Sequence, residues 1–197
     1  MMKKLFCLAV MAFMVVSCSG IKKDYIVTDA SYLPQPKWVK KGKYNASKKD
    51  EYKYFVSKGD NVNQRLCEKT AQARAAAIVA SEISNEIVDT YNNIIDSKDI
   101  DANEVASEKL EQNIKMFLAG VENEETYWEK RKYSKELGAE QNMSKYQCYA
   151  LVKMNKKTYN NVLNASIDKM MTLVSTTPEN KEVVKNELKE QLIENND

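Results

Sequence analysis

The chain contains no histidine. That removes Ser-His-Asp and Cys-His nucleophilic arrangements, the commonest general base and most zinc sites. Glycine is scarce, with five in 197 residues, and nothing resembling a phosphate-cradling loop can be assembled from them. Proline is scarcer still, with Pro34, Pro36 and Pro178 only, so no proline-rich linker divides the chain. Four cysteines occur, none in a close pair with metal-ligand spacing. Neither sign of charge dominates: 30 basic residues face 28 acidic ones, too even a balance to draw in nucleic acid. Paired carboxylates do exist, at Glu124-Glu125 and at Asp99 with Asp101. Neighbouring acids on a strand point to opposite faces, acids beside a helix start serve as caps, and the calcium-loop pattern is missing. The reading is of a protein that is not an enzyme and takes no cofactor or metal.

What is present begins at the N-terminus. Lys3 and Lys4 precede an uncharged apolar run, Leu5 to Val16, too short to span a bilayer as a mature helix. It ends in Val15-Val16-Ser17-Cys18, which resembles the bacterial lipobox. The resemblance implies a signal peptide over 1–17, a diacylglycerol on the Cys18 thiol, cleavage before Cys18 and acylation of the new amine. Two or more acyl chains hold a protein to a membrane, where one gives only marginal binding.

The mature chain, 18–197, is long enough for one domain with a substantial core. Loss of Lys3 and Lys4 leaves 28 basic and 28 acidic residues. Residues 18–60 carry ten Lys and five acids, a stretch that either lies against anionic headgroups or is simply a solvated tether. From Pro178 onward six acids meet three Lys. Cys7 leaves with the signal and Cys18 is the lipid anchor, so Cys67 and Cys148 remain, in an oxidising compartment. They are either disulfide-bonded or two small buried thiols.

Residues 18–50 read as a lipidated, flexible tether with one apolar clip at Pro36-Lys37-Trp38-Val39. Tyr52 to Ser57 reads as a strand and Lys58-Gly59-Asp60 as a turn. A long helix follows, capped by Asn61 with Gln64 and carrying a stripe through Leu66, Thr70, Ala73, Ala77, Ala80, Ile83, Ile87, Tyr91 and Ile94. A second helix starts at Asp101 with Glu104 and ends at Gly120. Residues 121–135 and 146–154 read as two strands of a hairpin. A third helix bears Tyr159, Leu163, Ile167 and Met170, and Pro178 opens an acidic fourth over 176–197. The expected fold class is therefore α+β. A small, mostly antiparallel three-stranded sheet, in the order β-α-α-β-β-α-α, has amphipathic helices on one face, and the compact domain covers 51–175. Open sheet edges make a homodimer conceivable.

Six aromatic residues, Trp38, Tyr44, Tyr52, Tyr54, Trp128 and Tyr133, have the flat faces and polar tips from which a glycan- or peptide-binding groove is built. Packing in the sheet and core accounts for the same residues.

Several segments together resemble a known group. After the lipobox come Pro36-x-Trp38-Val39, Tyr54-Phe55-Val56-Ser57-Lys58-Gly59 and the Ala71-Gln72-Ala73-Arg74-Ala75-Ala76-Ala77 helix. Tyr127-Trp128-Glu129-Lys130 and Tyr149-Ala150-Leu151-Val152-Lys153-Met154 follow. The pattern, over about residues 36 to 160, resembles the twenty-kilodalton bacterial membrane-associated lipoprotein family, whose domain also resembles those of some flagellar accessory lipoproteins. The family often has a second Gly where this chain has Asp60. The resemblance implies an envelope lipoprotein with a compact α+β domain and no catalytic residues. The expected function is a non-enzymatic structural or protein-interaction role at the outer membrane, facing the periplasm, with another envelope protein or the cell wall as partner. The alternative is a lipoprotein that captures a glycan or peptide in the aromatic groove.

Overall fold

The structure, a computed structural model, describes residues 23–47, 50–103, 105 and 107–193. The lipobox and Cys18 lie outside the described residues, as do Glu104 and Ala106. Four strands, β1 (Tyr25–Ala30), β2 (Tyr52–Asn61), β3 (Val121–Tyr133) and β4 (Met143–Asn155), form one sheet in the order β1-β3-β4-β2. All of its pairings are antiparallel. Five α-helices accompany it: α1 (Lys37–Lys41), α2 (Gln64–Lys98), α3 (Ser107–Phe117), α4 (Lys156–Met171) and α5 (Pro178–Leu192).

The expectation of a three-stranded sheet is therefore corrected to four strands. The added strand comes from the stretch read as tether. Tyr25 and Ala30 are half-buried and the four residues between them are exposed, so no apolar alternation betrays the strand. What holds β1 is main-chain pairing along β3, Tyr25 opposite Tyr133 and Ala30 opposite Glu129. The Ser31 amide extends the ladder by donating to the Trp128 carbonyl at 3.0 Å.

A second difference lies at Lys58-Gly59-Asp60, which continues β2 instead of turning. Gly59 faces α2 so closely that a Cβ there would stand 2.8 Å from the Ala71 amide nitrogen and 3.1 Å from the Cys67 carbonyl. The glycine thus serves a close backbone approach within a strand. The helix cap also shifts by two residues. Asn63 Oδ1 accepts from the Leu66 amide at 3.1 Å, while Asn61 Oδ1 accepts from the Asn63 amide at 2.9 Å.

The α2 stripe begins in a different register from the expected one. Cys67, Ala71, Ala75 and Val79 face the sheet, and Leu66 and Ala73 are exposed. From Ala80 through Ile83, Ile87, Tyr91 and Ile94 the two stripes coincide. Small residues are what let a helix lie on the strand at Gly59, and the larger Leu66 is excluded from that contact. Cys67 and Cys148 are joined by a disulfide with Cα atoms 5.7 Å apart, tying α2 to β4. The main core lies between the helices and this face, where Phe55, Ala150, Val152 and Met154 meet Ile83, Tyr91, Leu110, Leu163 and Ile167. Helix α5 belongs to the same core through Val184, Leu188 and Leu192.

The other face of the sheet is covered by the chain between β1 and β2. Trp38 and Val39 on α1 pack on Tyr127 and Leu151, with Tyr54, Val56 and Tyr149 around them. The clip expected at Pro36-Lys37-Trp38-Val39 is this helix.

Candidate functional site

The outward face of β3 carries alternating Tyr127, Glu129, Arg131 and Tyr133, and the alternation places a carboxylate and a guanidinium under the covering segment. Glu129 is only 3% exposed. Its carboxylate accepts from Arg131 Nε at 2.6 Å and from Gln35 Nε2 at 3.2 Å. Arg131 also donates to the Tyr149 hydroxyl at 2.9 Å and lies 4.2 Å from the centre of the Tyr25 ring. Tyr127, between the sheet and this carboxylate, has its hydroxyl pushed up to about 12, first by burial and then by the charge on Glu129. Beside it, Glu125 accepts from Trp38 Nε1 at 3.0 Å and from the Tyr32 hydroxyl. This network is saturated by its own partners. Its chemistry is to fasten the segment 25–39 onto the sheet.

The six aromatic residues singled out above do not form one groove. Trp38 is buried between α1 and the sheet, Trp128 lies on the helix side of β3 against Tyr146, and Tyr133 meets Tyr25 at a tilt, 5.4 Å between ring centres, at one end of the sheet. The structure does bring three together beside β2. The rings of Tyr44 and Tyr54 are 4.4 Å apart, and Tyr52 and Tyr54 line an open cavity of about 460 Å³ with Ser47, Phe55 and Tyr159.

The floor of that cavity holds ionisable groups that sequence reasoning missed. Lys53 Nζ sits 3.8 Å above the Tyr159 ring, and the Tyr159 hydroxyl donates to Glu86 at 2.7 Å. Burial pulls the Lys53 ammonium below its ordinary value, against the opposing pull of Glu86 and Glu82. Burial and then Glu86 push the Glu82 carboxyl up. Burial and Glu86 also hold the Tyr159 hydroxyl far above the usual phenol range, so it stays protonated. The signal in the sequence was the i,i+4 spacing of Glu82 and Glu86, which puts both on one helical face opposite a strand lysine. Lys156 joins Lys53, Glu82 and Glu86 in the lining, and the cavity offers a ligand tyrosine faces and a mixed-charge rim.

Among the described residues no three of the metal-ligating acidic or thiol side chains gather as a cation site. No described helix is long and apolar enough to cross a membrane. Comparison with family models, with curated proteins and with solved structures finds no significant match.

Proposed function

We propose that this is a lipid-anchored protein of a bacterial envelope, fixed to the outer membrane through acylated Cys18 and facing the periplasm. Its role is structural or protein-binding and not catalytic. The observation that carries the reading is the sequence Val15-Val16-Ser17-Cys18 at the end of a short apolar run. The Cys67–Cys148 disulfide supports it, because such bonds persist in oxidising compartments. Membership of the membrane-associated lipoprotein family belongs to the same proposal and rests on the segments quoted above. Cys18→Ser should abolish incorporation of labelled fatty acid and leave unprocessed precursor in cells. Continued labelling of that variant rejects the anchor. Protease should spare the protein in intact cells and digest it once the outer membrane is permeabilised, and digestion in intact cells rejects the periplasmic orientation.

One observation favours a second reading. Tyr52 and Tyr54 line the cavity beside β2, with the Tyr44 ring packed on Tyr54, an arrangement suited to holding a peptide or a glycan. Binding of cell-wall fragments or peptides that is lost in Tyr54→Ala, with the fold intact, would favour capture over a purely structural role.

A further inference from the structure

The folded part starts much nearer the anchor than a tether over 18–50 would allow. Five peptide units separate Cys18 from Lys23, a span of about 18 Å at full extension. The first residues of the fold are fixed in place. The Ser134 amide donates to the Asp24 carbonyl at 3.2 Å, and Tyr25 pairs with Tyr133. One end of the molecule is therefore held at the anchor. It comprises the start of β1, the tip of the β3–β4 hairpin and the β2–α2 junction, where Asn61 pairs with Tyr146.

This end has the make-up of a surface that meets lipid headgroups. Four large apolar side chains are left exposed there: Val62 at 72%, Leu66 at 53%, Ile26 at 52% and Leu137 at 42%. Around them stand Lys23, Arg65, Lys130, Lys132, Lys135 and Lys145. Three tyrosines carry lysines on their faces, Lys23 over Tyr25 at 5.5 Å, Lys145 over Tyr133 at 5.2 Å and Lys130 over Tyr146 at 5.6 Å. Rings with polar tips, long basic stems and scattered apolar residues suit the boundary between hydrocarbon and water. The acids nearby are Asp24, Asp60, Glu68, Glu136 and Glu140; Asp60 is already paired with Lys145 at 3.0 Å, and Glu68 accepts from Gln64 Nε2 at 3.0 Å.

We propose that this end lies directly on an anionic bilayer surface, so that the domain stands on the membrane with the far end of α2 pointing away. The proposal rests on lipidation at Cys18. It commits to anionic phospholipid as the occupant, because the anchor and the excess of basic residues are at the same end. A short leash makes the contact effectively intramolecular, so individually weak headgroup contacts suffice.

The test uses the full-length mature lipoprotein, reconstituted in vesicles of phosphatidylcholine with or without 30% phosphatidylglycerol. An environment-sensitive fluorophore is attached at Leu137→Cys or at Ser175→Cys, beyond the C-terminal end of α2. Spin-labelled lipid should quench the probe at 137 at least twofold more than that at 175, and more strongly with phosphatidylglycerol present. Lys132→Glu with Lys135→Glu should erase the difference. Equal quenching at the two positions, with the protein still floating with the vesicles, overturns the proposal and leaves the anchor standing. Failure to float overturns both. Shielding of the 137 probe from iodide before vesicles are added would assign the surface to a second copy and overturn the lipid contact.

Discussion

Gly59 and Arg131 each sit at a contact that leaves little room for change. Gly59 lies in a strand with ordinary backbone angles, so its importance is steric. A methyl group there meets main-chain atoms of α2 that cannot rotate away. Gly59→Ala should cost about 1–3 kcal/mol, the usual range for overpacking, read as a lowered midpoint of denaturant unfolding. An unchanged midpoint would mean that α2 stands further from β2. Arg131 is the cation on a buried carboxylate. Arg131→Met leaves Glu129 without its charge partner and should destabilise by about 3 kcal/mol or more. Pairing Arg131→Met with Glu129→Gln should recover part of the loss, which a purely steric role for the arginine would not give.

At the scale of elements, two connections decide how the layers stay together. The disulfide closes a loop of 81 residues between α2 and β4. Chain-entropy arguments put its contribution at about 4 kcal/mol, so reduction, or Cys67→Ser with Cys148→Ser, should lower the melting temperature by roughly 8–16 degrees. A shift of a degree or two would show that packing alone holds the helix. Helices α4 and α5 are joined more weakly, through Asp168 with Lys185 at 3.0 Å and Lys189 at 3.4 Å. The Lys185 hydrogen bond lowers the Asp168 carboxyl from its ordinary 3.8, in spite of some burial. An acid with a depressed folded value stabilises above its unfolded value and loses that effect as pH falls through the folded one. Asp168→Asn should therefore lower the melting temperature slightly at pH 7, and the difference from wild type should vanish in strong acid. A difference independent of pH would locate the effect in packing.

These elements were unequally legible in the sequence. Strand β4 and helix α4 announced themselves through alternation and a single apolar face. Strand β1 did not, because an exposed edge strand is held by main-chain hydrogen bonds and leaves no hydrophobic period. The early turns of α2 misled for the opposite reason. Large apolar residues suggested a stripe through Leu66, but the tightest contact belongs to Cys67 and Ala71, where small size is the requirement. In the cavity, Tyr52 and Tyr54 were visible as an aromatic pair on one strand face. Lys53, Glu82 and Glu86 were not, since their meeting depends on the crossing of α2 over β2.

The whole molecule is read as an oxidised α+β domain held to a membrane through Cys18, with its basic, tyrosine-rich end close to the anchor. Its chemistry as far as described is that of fastening: a disulfide, a buried ion pair and a segment strapped over the second face of the sheet. The measurement that bears most directly on this reading is the intact mass of the native protein extracted from membranes, taken before and after reduction. The expected species begins at Cys18, carries a diacylglyceryl thioether and an amide-linked acyl chain, and gains two hydrogens when the Cys67–Cys148 bond is reduced. A protein that begins elsewhere, or has an unmodified Cys18, would contradict the account.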